Sequence, residues 1–269
     1  STTQTRTETQ SSSGGPHVQL NTPRRKGKKA QRQAAKHSAT RSFVAARGIR
    51  KSYHKGKIEV PVLRGVDLDV HAGETLAIVG QSGSGKSPLL HLLATLDAPD
   101  KGERRFEGQR IDSRKPKVGD ALRNGQFGMI FQFYHLLPEL TTLENVLAPL
   151  MITHGAFSYW RNKRKHVDRA KQLLELVGLS HRLKHRQREL SGGEMQRAAI
   201  ARARVAQPRV LFADEPTGHL DPSTGPEILE ILRTLKDGQQ VTIVMVTHDM
   251  SIAQDADRVV VLENGCIAS

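Results

Sequence analysis

Three things are scarce in this sequence, and each shortage excludes a class of protein. There is one cysteine, Cys266, in 269 residues, so no internal disulfide framework holds the fold, which fits a reducing cytoplasm. Long hydrophobic runs are missing. The longest strand-like runs, VTIVMV and RVVVL, fall far short of the roughly 18 residues a membrane helix needs, and the N-terminal residues lack the apolar stretch of a secretory signal. Acidic residues are scarce in one place. Residues 1–42 hold nine lysines and arginines against a single acid, Glu8, so more than half of the net charge of +14 sits there. This segment is rich in Ser, Thr, Gln and Gly and cannot bury enough apolar surface to offset its ordering entropy. A disordered basic tail is expected over 1–42. A solvated extension is favoured over contact with anionic lipid, and nucleic acid is not expected as a partner.

From Phe43 onward the pattern changes. At 37% hydrophobic and 25% charged residues, the chain is long enough to bury a real core. TLAIVG (75–80), RVLFAD (209–214), TIVMVTH (242–248) and RVVVLENG (258–265) are nearly continuous apolar runs that end in polar residues or glycine. Such runs suit strands of a parallel sheet covered on both faces. Residues 51–74 alternate instead, and GVDLDVHAGE has period two, which predicts an antiparallel edge sheet. From about 139 to 190 the pattern turns helical; Val167, Ala170, Leu174 and Val177 share a face, and Gly178 is placed to end that helix. There is no internal repeat. The expectation is one α/β domain over 43–269 with a helical insertion at about 133–192.

GQSGSGKS, residues 80–87, reads as a phosphate-binding loop. Gly80, Gly83 and Gly85 let the backbone wrap an anion, Gln81, Ser82 and Ser84 fill the turns between them, Lys86 reaches the terminal phosphates and the Ser87 hydroxyl can ligate Mg²⁺. A strand precedes it and an apolar helical pattern follows, whose N-terminus adds its dipole. Pro88 stands next, with no N–H to offer. VLFADEP closes a strand on Asp214 and Glu215; an acid at a strand end beside such a loop can hold the metal shell, and its neighbour can orient a water as general base. In LSGGE, Ser191 and Glu194 form a capping box, while Gly192 and Gly193 make a second small-residue cradle with free N–H groups.

GQSGSGKS, FQ (131–132), LSGGE (190–194), VLFADEP, GHLD (218–221) and VTHD (246–249) stand in the order and spacing of an ABC-transporter ATPase subunit, and the chain resembles that family over residues 43–269. LLPELTTLENV (136–146) and Glu194 resemble the branch of lipoprotein-releasing, macrolide-export and cell-division ATPases. The resemblance implies a P-loop NTPase (RecA-like) core with an antiparallel β edge subdomain and a helical insertion subdomain. It implies ATP and Mg²⁺, with Lys86, Gln132, Glu215 and His248 catalytic and Ser87, Gln132 and Asp214 around the metal. It implies Tyr53 stacking on adenine, though an ordinary edge-strand tyrosine is the other reading. Ser191, Gly192 and Gly193 would cap ATP held by a second copy, so a head-to-tail homodimer is expected. With no membrane helix of its own, the chain would energise a separate permease from the cytoplasmic face of the inner membrane.

The sequence departs from the family pattern at Pro88, where a second hydroxyl residue is usual, at His219 in place of Asn, and at Arg204 and Ala206. Two rival readings stand. A soluble non-transport ATPase of this family usually carries coiled coils or two cassettes, and neither is present in the sequence. A low-turnover, nucleotide-gated cell-division regulator is separated only by turnover with and without membrane partners.

Overall fold

The computed structural model describes residues 42–112, 116–221 and 223–268. The segment expected as a tail lies outside the described residues except for Ser42.

Three of the apolar runs form fully buried strands, β3 (Thr75–Val79), β7 (Val210–Asp214) and β8 (Thr242–Thr247). With β6 (Phe127–Ile130), β9 (Arg258–Glu263) and β10 (Cys266–Ile267) they make a six-stranded sheet of order β10-β9-β3-β8-β7-β6. The pairings β3–β8, β3–β9, β6–β7 and β7–β8 are parallel, and only β10 runs antiparallel. Side chains alternate between two cores. Leu76 and Ile78 point into one with α1 (Lys86–Leu93), while Ala77 and Val79 point into the other, with Ile228 and Leu232 of α6 (Gly225–Gln239). Apolar cover on both faces is why these strands read as unbroken hydrophobic runs.

The alternating segment builds a second, antiparallel sheet, β2-β1-β4-β5, from β1 (Val44–Lys55), β2 (Ile58–Val70), β4 (Lys101–Phe106) and β5 (Gln109–Arg110). Val66, Leu68 and Val70 of β2 are buried at period two. Between the sheets, α1 shares a core with both. Helix α2 (Pro116–Gly125) leads into β6, and α7 (Met250–Ala253) follows β8.

The helical insertion begins with α3 (Thr142–Arg161), opened by a Thr141–Glu144 capping box. Helix α4 (Lys163–Leu176) follows, and Gly178 at φ 73 ends it, as the sequence pattern expects. Both pack on α5 (Gly192–Arg204) through Val146, Leu150, Ala170, Leu174 and Ala198. Residues 133–140 are loop and turn rather than helix. That loop is pinned by the buried Asn145, whose Oδ1 accepts from Leu137 N at 2.7 Å and whose Nδ2 donates to Leu137 O at 3.0 Å and Thr141 O at 3.1 Å.

Candidate active site

Because β3, β6, β7 and β8 are parallel neighbours, their C-terminal ends share one edge of the sheet. Every sequence motif but one sits on that edge. Residues 80–85 leave β3, Gln132 follows β6, Asp214 and Glu215 close β7, and His248 follows β8. Ligands of open α/β sheets bind outside the carboxyl ends of the strands for this topological reason.

A cavity of about 550 Å³ lies there, lined by Tyr53, Ser82, Gly83, Gly85, Lys86, Ser87, Pro88, Gln132, Glu215 and His248. Gly80, Gln81 and Ser84 line an adjoining cavity of about 630 Å³ that shares Ser82, Gly83 and His248 with the first. Gly80 and Gly85 are required by contact. A Cβ at Gly80 would collide with the Leu262 carbonyl oxygen, and one at Gly85, at φ +102, would press on Leu63 and Val62.

Lys86 begins α1 and is 7% exposed. Its Nζ donates to Gly80 O at 2.9 Å and Gln81 O at 3.0 Å, and no carboxylate among the described residues pairs with it. A buried ammonium held only by loop carbonyls fits a polyanion such as the phosphates of ATP. Ser87 Oγ donates to Asp214 Oδ1 at 2.7 Å. Two hard oxygen donors that close together suit Mg²⁺, which keeps waters for its other positions. Asp214 is 5% exposed and stands behind Ser87.

Glu215 is 8% exposed and takes φ 43, a left-handed conformation uncommon for a non-glycine residue. Its N–H donates to Val246 O at 3.0 Å, locking the turn to β8. Its Oε2 lies 2.9 Å from His248 Nδ1 and accepts the His248 backbone N–H at 3.3 Å. The residues expected as base and switch are therefore paired across adjacent strand ends. Tyr53 is exposed on β1, and its hydroxyl donates to Asp97 Oδ2 at 3.0 Å. Burial, with Asp97 beside it, pushes the phenol up to about 12, so it stays protonated as a donor.

Pro88 is the third residue of α1. The first helical bond is Leu89 N to Gly85 O at 2.9 Å, so the N–H that proline lacks would have no helical partner.

Ser191, Gly192 and Gly193 are absent from the walls of the cavity. Ser191 caps α5: its Oγ accepts from Glu194 N at 3.2 Å, Glu194 Oε2 accepts from Ser191 N at 2.9 Å, and Glu194 Oε1 is paired with Arg182 at 2.8 Å. The capping box is thus formed, and the glycines lie against Tyr134 and Thr224 rather than the phosphate loop.

Two contacts went unread in the sequence. His91 Nε2 lies 3.3 Å from Asp214 Oδ2; it sits four residues after Ser87, on the same helix face, a spacing that could have exposed it. The Phe133 ring stacks on His219 at 4.6 Å, joining the segment after Gln132 to the loop where His replaces Asn. No spacing rule reveals that pair.

The ABC transporter family profile matches residues 63–218. The lipoprotein-releasing system ATP-binding protein LolD 2 of Rhodopirellula baltica is 56% identical over 222 residues, covering 82% of this chain and 87% of that protein. The LolD protein of Pseudomonas syringae pv. tomato is 46% identical, covering 84% and 96%. Among solved structures, the dimeric bacterial ABC transporter cassette MJ0796 superimposes with a TM-score of 0.77 at 34% identity, over 84% of this chain and 97% of that one. The same cassette in a post-hydrolysis state bound to ADP and Pi gives 0.76 at 33% identity. A phosphate loop, a Ser87–Asp214 pair and a Glu215–His248 pair on one sheet edge, with this similarity over more than four fifths of the chain, make the chain a member of the ABC transporter ATPase family, an enzyme that binds ATP with Mg²⁺ and hydrolyses it.

Proposed function

We propose that the chain is the ATP-hydrolysing subunit of a lipoprotein-releasing transporter, acting as a head-to-tail dimer on a separate membrane permease at the cytoplasmic face. The observation that carries the chemistry is the buried Lys86, without a carboxylate partner among the described residues, set beside Ser87 and Asp214. The similarity to LolD proteins supports the transported class. Among the described residues no helix is long and apolar enough to cross a membrane, which agrees with a permease on another chain.

In this reading the loop N–H groups and Lys86 hold the phosphates. Ser87, Asp214 and Gln132 would hold Mg²⁺, which when bound neutralises charge on the β- and γ-phosphates. Glu215 orients and deprotonates the attacking water, and His248 contacts the γ-phosphate. In the single chain Glu215 Oε2 is engaged by two donors of His248. Drawing His248 toward phosphate would free that oxygen to serve as base, which ties hydrolysis to closure. Closure needs the Ser191–Gly193 cradle of a second copy, since its own cradle stands outside the cavity. Catalysis is then mostly positioning and charge stabilisation.

The test is reconstitution in liposomes with a candidate permease of the lipoprotein-releasing type. ATP-dependent release of a lipid-anchored protein is expected. ATP turnover indifferent to the permease would instead favour a cassette that does not power transport.

Two further outcomes are expected at the nucleotide. Pro88→Thr restores an N–H and a hydroxyl toward the α-phosphate; such bonds to charge are worth about 1.5–3 kcal/mol, so the KM for ATP should fall about tenfold to a hundredfold. Turnover at saturation should change little, because other residues serve the γ-phosphate. Steady-state kinetics decide this, and an unchanged KM would mean the proline is harmless. Tyr53→Ala should raise the KM at least about fivefold through lost stacking, worth about 1–3 kcal/mol per base. Tyr53→Phe should keep nearly wild-type affinity, since it loses only the bond to Asp97. Equal losses in both variants would assign Tyr53 to the β1 edge rather than to adenine.

A further inference from the structure

Where α3 hands over to α4, the surface carries positive charge that the described residues leave largely unbalanced. Arg161, Arg164, Lys165 and Arg169 line one open cavity of about 680 Å³, whose wall holds one carboxylate among the described residues, Asp168. Neither these four cations nor the adjacent Lys163 makes an ion pair among the described residues. Arg169 Nε is buried there without a hydrogen-bond partner among them. Burial, and after it the neighbouring Arg169, holds the Arg204 guanidinium below its usual value.

The placement is unfavourable for the fold alone. Lys163, Arg164 and Lys165 occupy the first turn of α4, which contains no acid, although a helix N-terminus already carries positive potential. Asn162, at the capping position, turns its side chain back to Ser158 O at 3.1 Å and leaves the new helix uncapped. Beside these cations stand two large aromatics in solvent, Phe157 at 84% and Trp160 at 62% exposure. They are three residues apart on α3 and so share a face. Lys163 Nζ rests 4.3 Å from the Trp160 ring centre.

We propose that this elbow is a docking surface for anionic phospholipid headgroups, with Arg161, Arg164, Lys165 and Arg169 receiving the phosphates and Phe157 and Trp160 entering the interfacial layer. Cations alone would serve any phosphate. Exposed tryptophan and phenylalanine next to them select a surface that is charged outside and apolar beneath, the combination found at membrane interfaces.

Trp160 is the chain's single tryptophan, so its fluorescence reports this site and no other. The full chain is titrated with vesicles of phosphatidylglycerol and phosphatidylcholine, with phosphatidylcholine vesicles, and with inorganic phosphate. The expected result is a blue shift of Trp160 emission with the anionic vesicles alone, quenching by brominated acyl chains, and reversal at high salt. Arg164→Glu combined with Lys165→Glu should weaken the partitioning at least about tenfold, since each cation near an anionic surface contributes about 1 kcal/mol, while ATP turnover in solution is unchanged. Co-sedimentation without a Trp160 response would place lipid binding on another part of the chain, such as its basic N-terminal residues, and overturn the proposal. The same shift with inorganic phosphate would make the elbow a free-phosphate site, and a response to the permease but not to vesicles would make it a protein contact.

Discussion

Glu215→Gln is expected to lower ATP turnover at least about a hundredfold, the scale of losing a general base, while ATP binding persists. The substitution is nearly isosteric and leaves Cβ unchanged, so the left-handed backbone at φ 43 is retained. The amide oxygen can still accept the His248 backbone N–H, now at 3.3 Å from Oε2. Folding stability should therefore move by less than about 1 kcal/mol, the worth of one ordinary hydrogen bond. What is lost is the capacity to take a proton from water at a 92% buried position beside the phosphate loop. With hydrolysis blocked and binding intact, the variant should accumulate as an ATP-bound dimer, visible as a doubled mass in size-exclusion chromatography with light scattering. Turnover equal to the wild type would remove Glu215 from the mechanism. Slow turnover without the dimer would keep the base and reject the head-to-tail assembly.

Glu215 was legible in the sequence for the same reason the core was. Strands β3, β7 and β8 are buried at every position, so they read as apolar runs, and a polar residue at the end of such a run stands at the sheet's edge. Asp214 with Glu215, His248, and the loop after Val79 are three such endings. Parallel pairing, forced by helices on both faces, then gathers them. Strand β4 was hidden because KGERRF is mostly charge. Its Arg104 is nevertheless 5% exposed, held by Asp112 at 2.8 Å and by the Asp97 carbonyl at 2.8 Å. An arginine whose acceptors lie outside its own strand, eight and seven residues away, leaves no periodic trace. Strand β6 was hidden by its length, four residues with a glycine, and Gly128 is needed because a Cβ would strike the Ala203 carbonyl. The Phe133–His219 stack joins residues far apart in the chain whose proximity follows from the tertiary fold alone. The unbalanced cations at the α3–α4 elbow read as an ordinary solvated helix face until their shared cavity is seen.

Lys86→Ala separates a residue held for its ligand from one held for the fold. Lys86 is 7% exposed, and its ammonium is satisfied by two backbone carbonyls with no carboxylate partner among the described residues. Removing a buried, unpaired charge costs the fold little, because the desolvation penalty goes with it. The residue also stands at the first position of α1, where a cation opposes the helix dipole and alanine is the better helix former. The thermal midpoint without nucleotide should therefore be equal to the wild type or slightly higher. Binding should behave in the opposite way. Charge-assisted bonds to phosphate are worth about 1.5–3 kcal/mol each, and Lys86 is placed to make at least one, so ATP affinity should fall at least tenfold to a hundredfold. Because a ligand that binds only the native state raises its midpoint by mass action, the wild type should gain stability on adding Mg-ATP and Lys86→Ala should gain little at the same concentration. Differential scanning fluorimetry with and without Mg-ATP measures both halves. A collapse of the nucleotide-free midpoint would show that the ammonium braces the loop. A full ATP-induced shift in the variant would show that the phosphates are held by the loop's N–H groups without it.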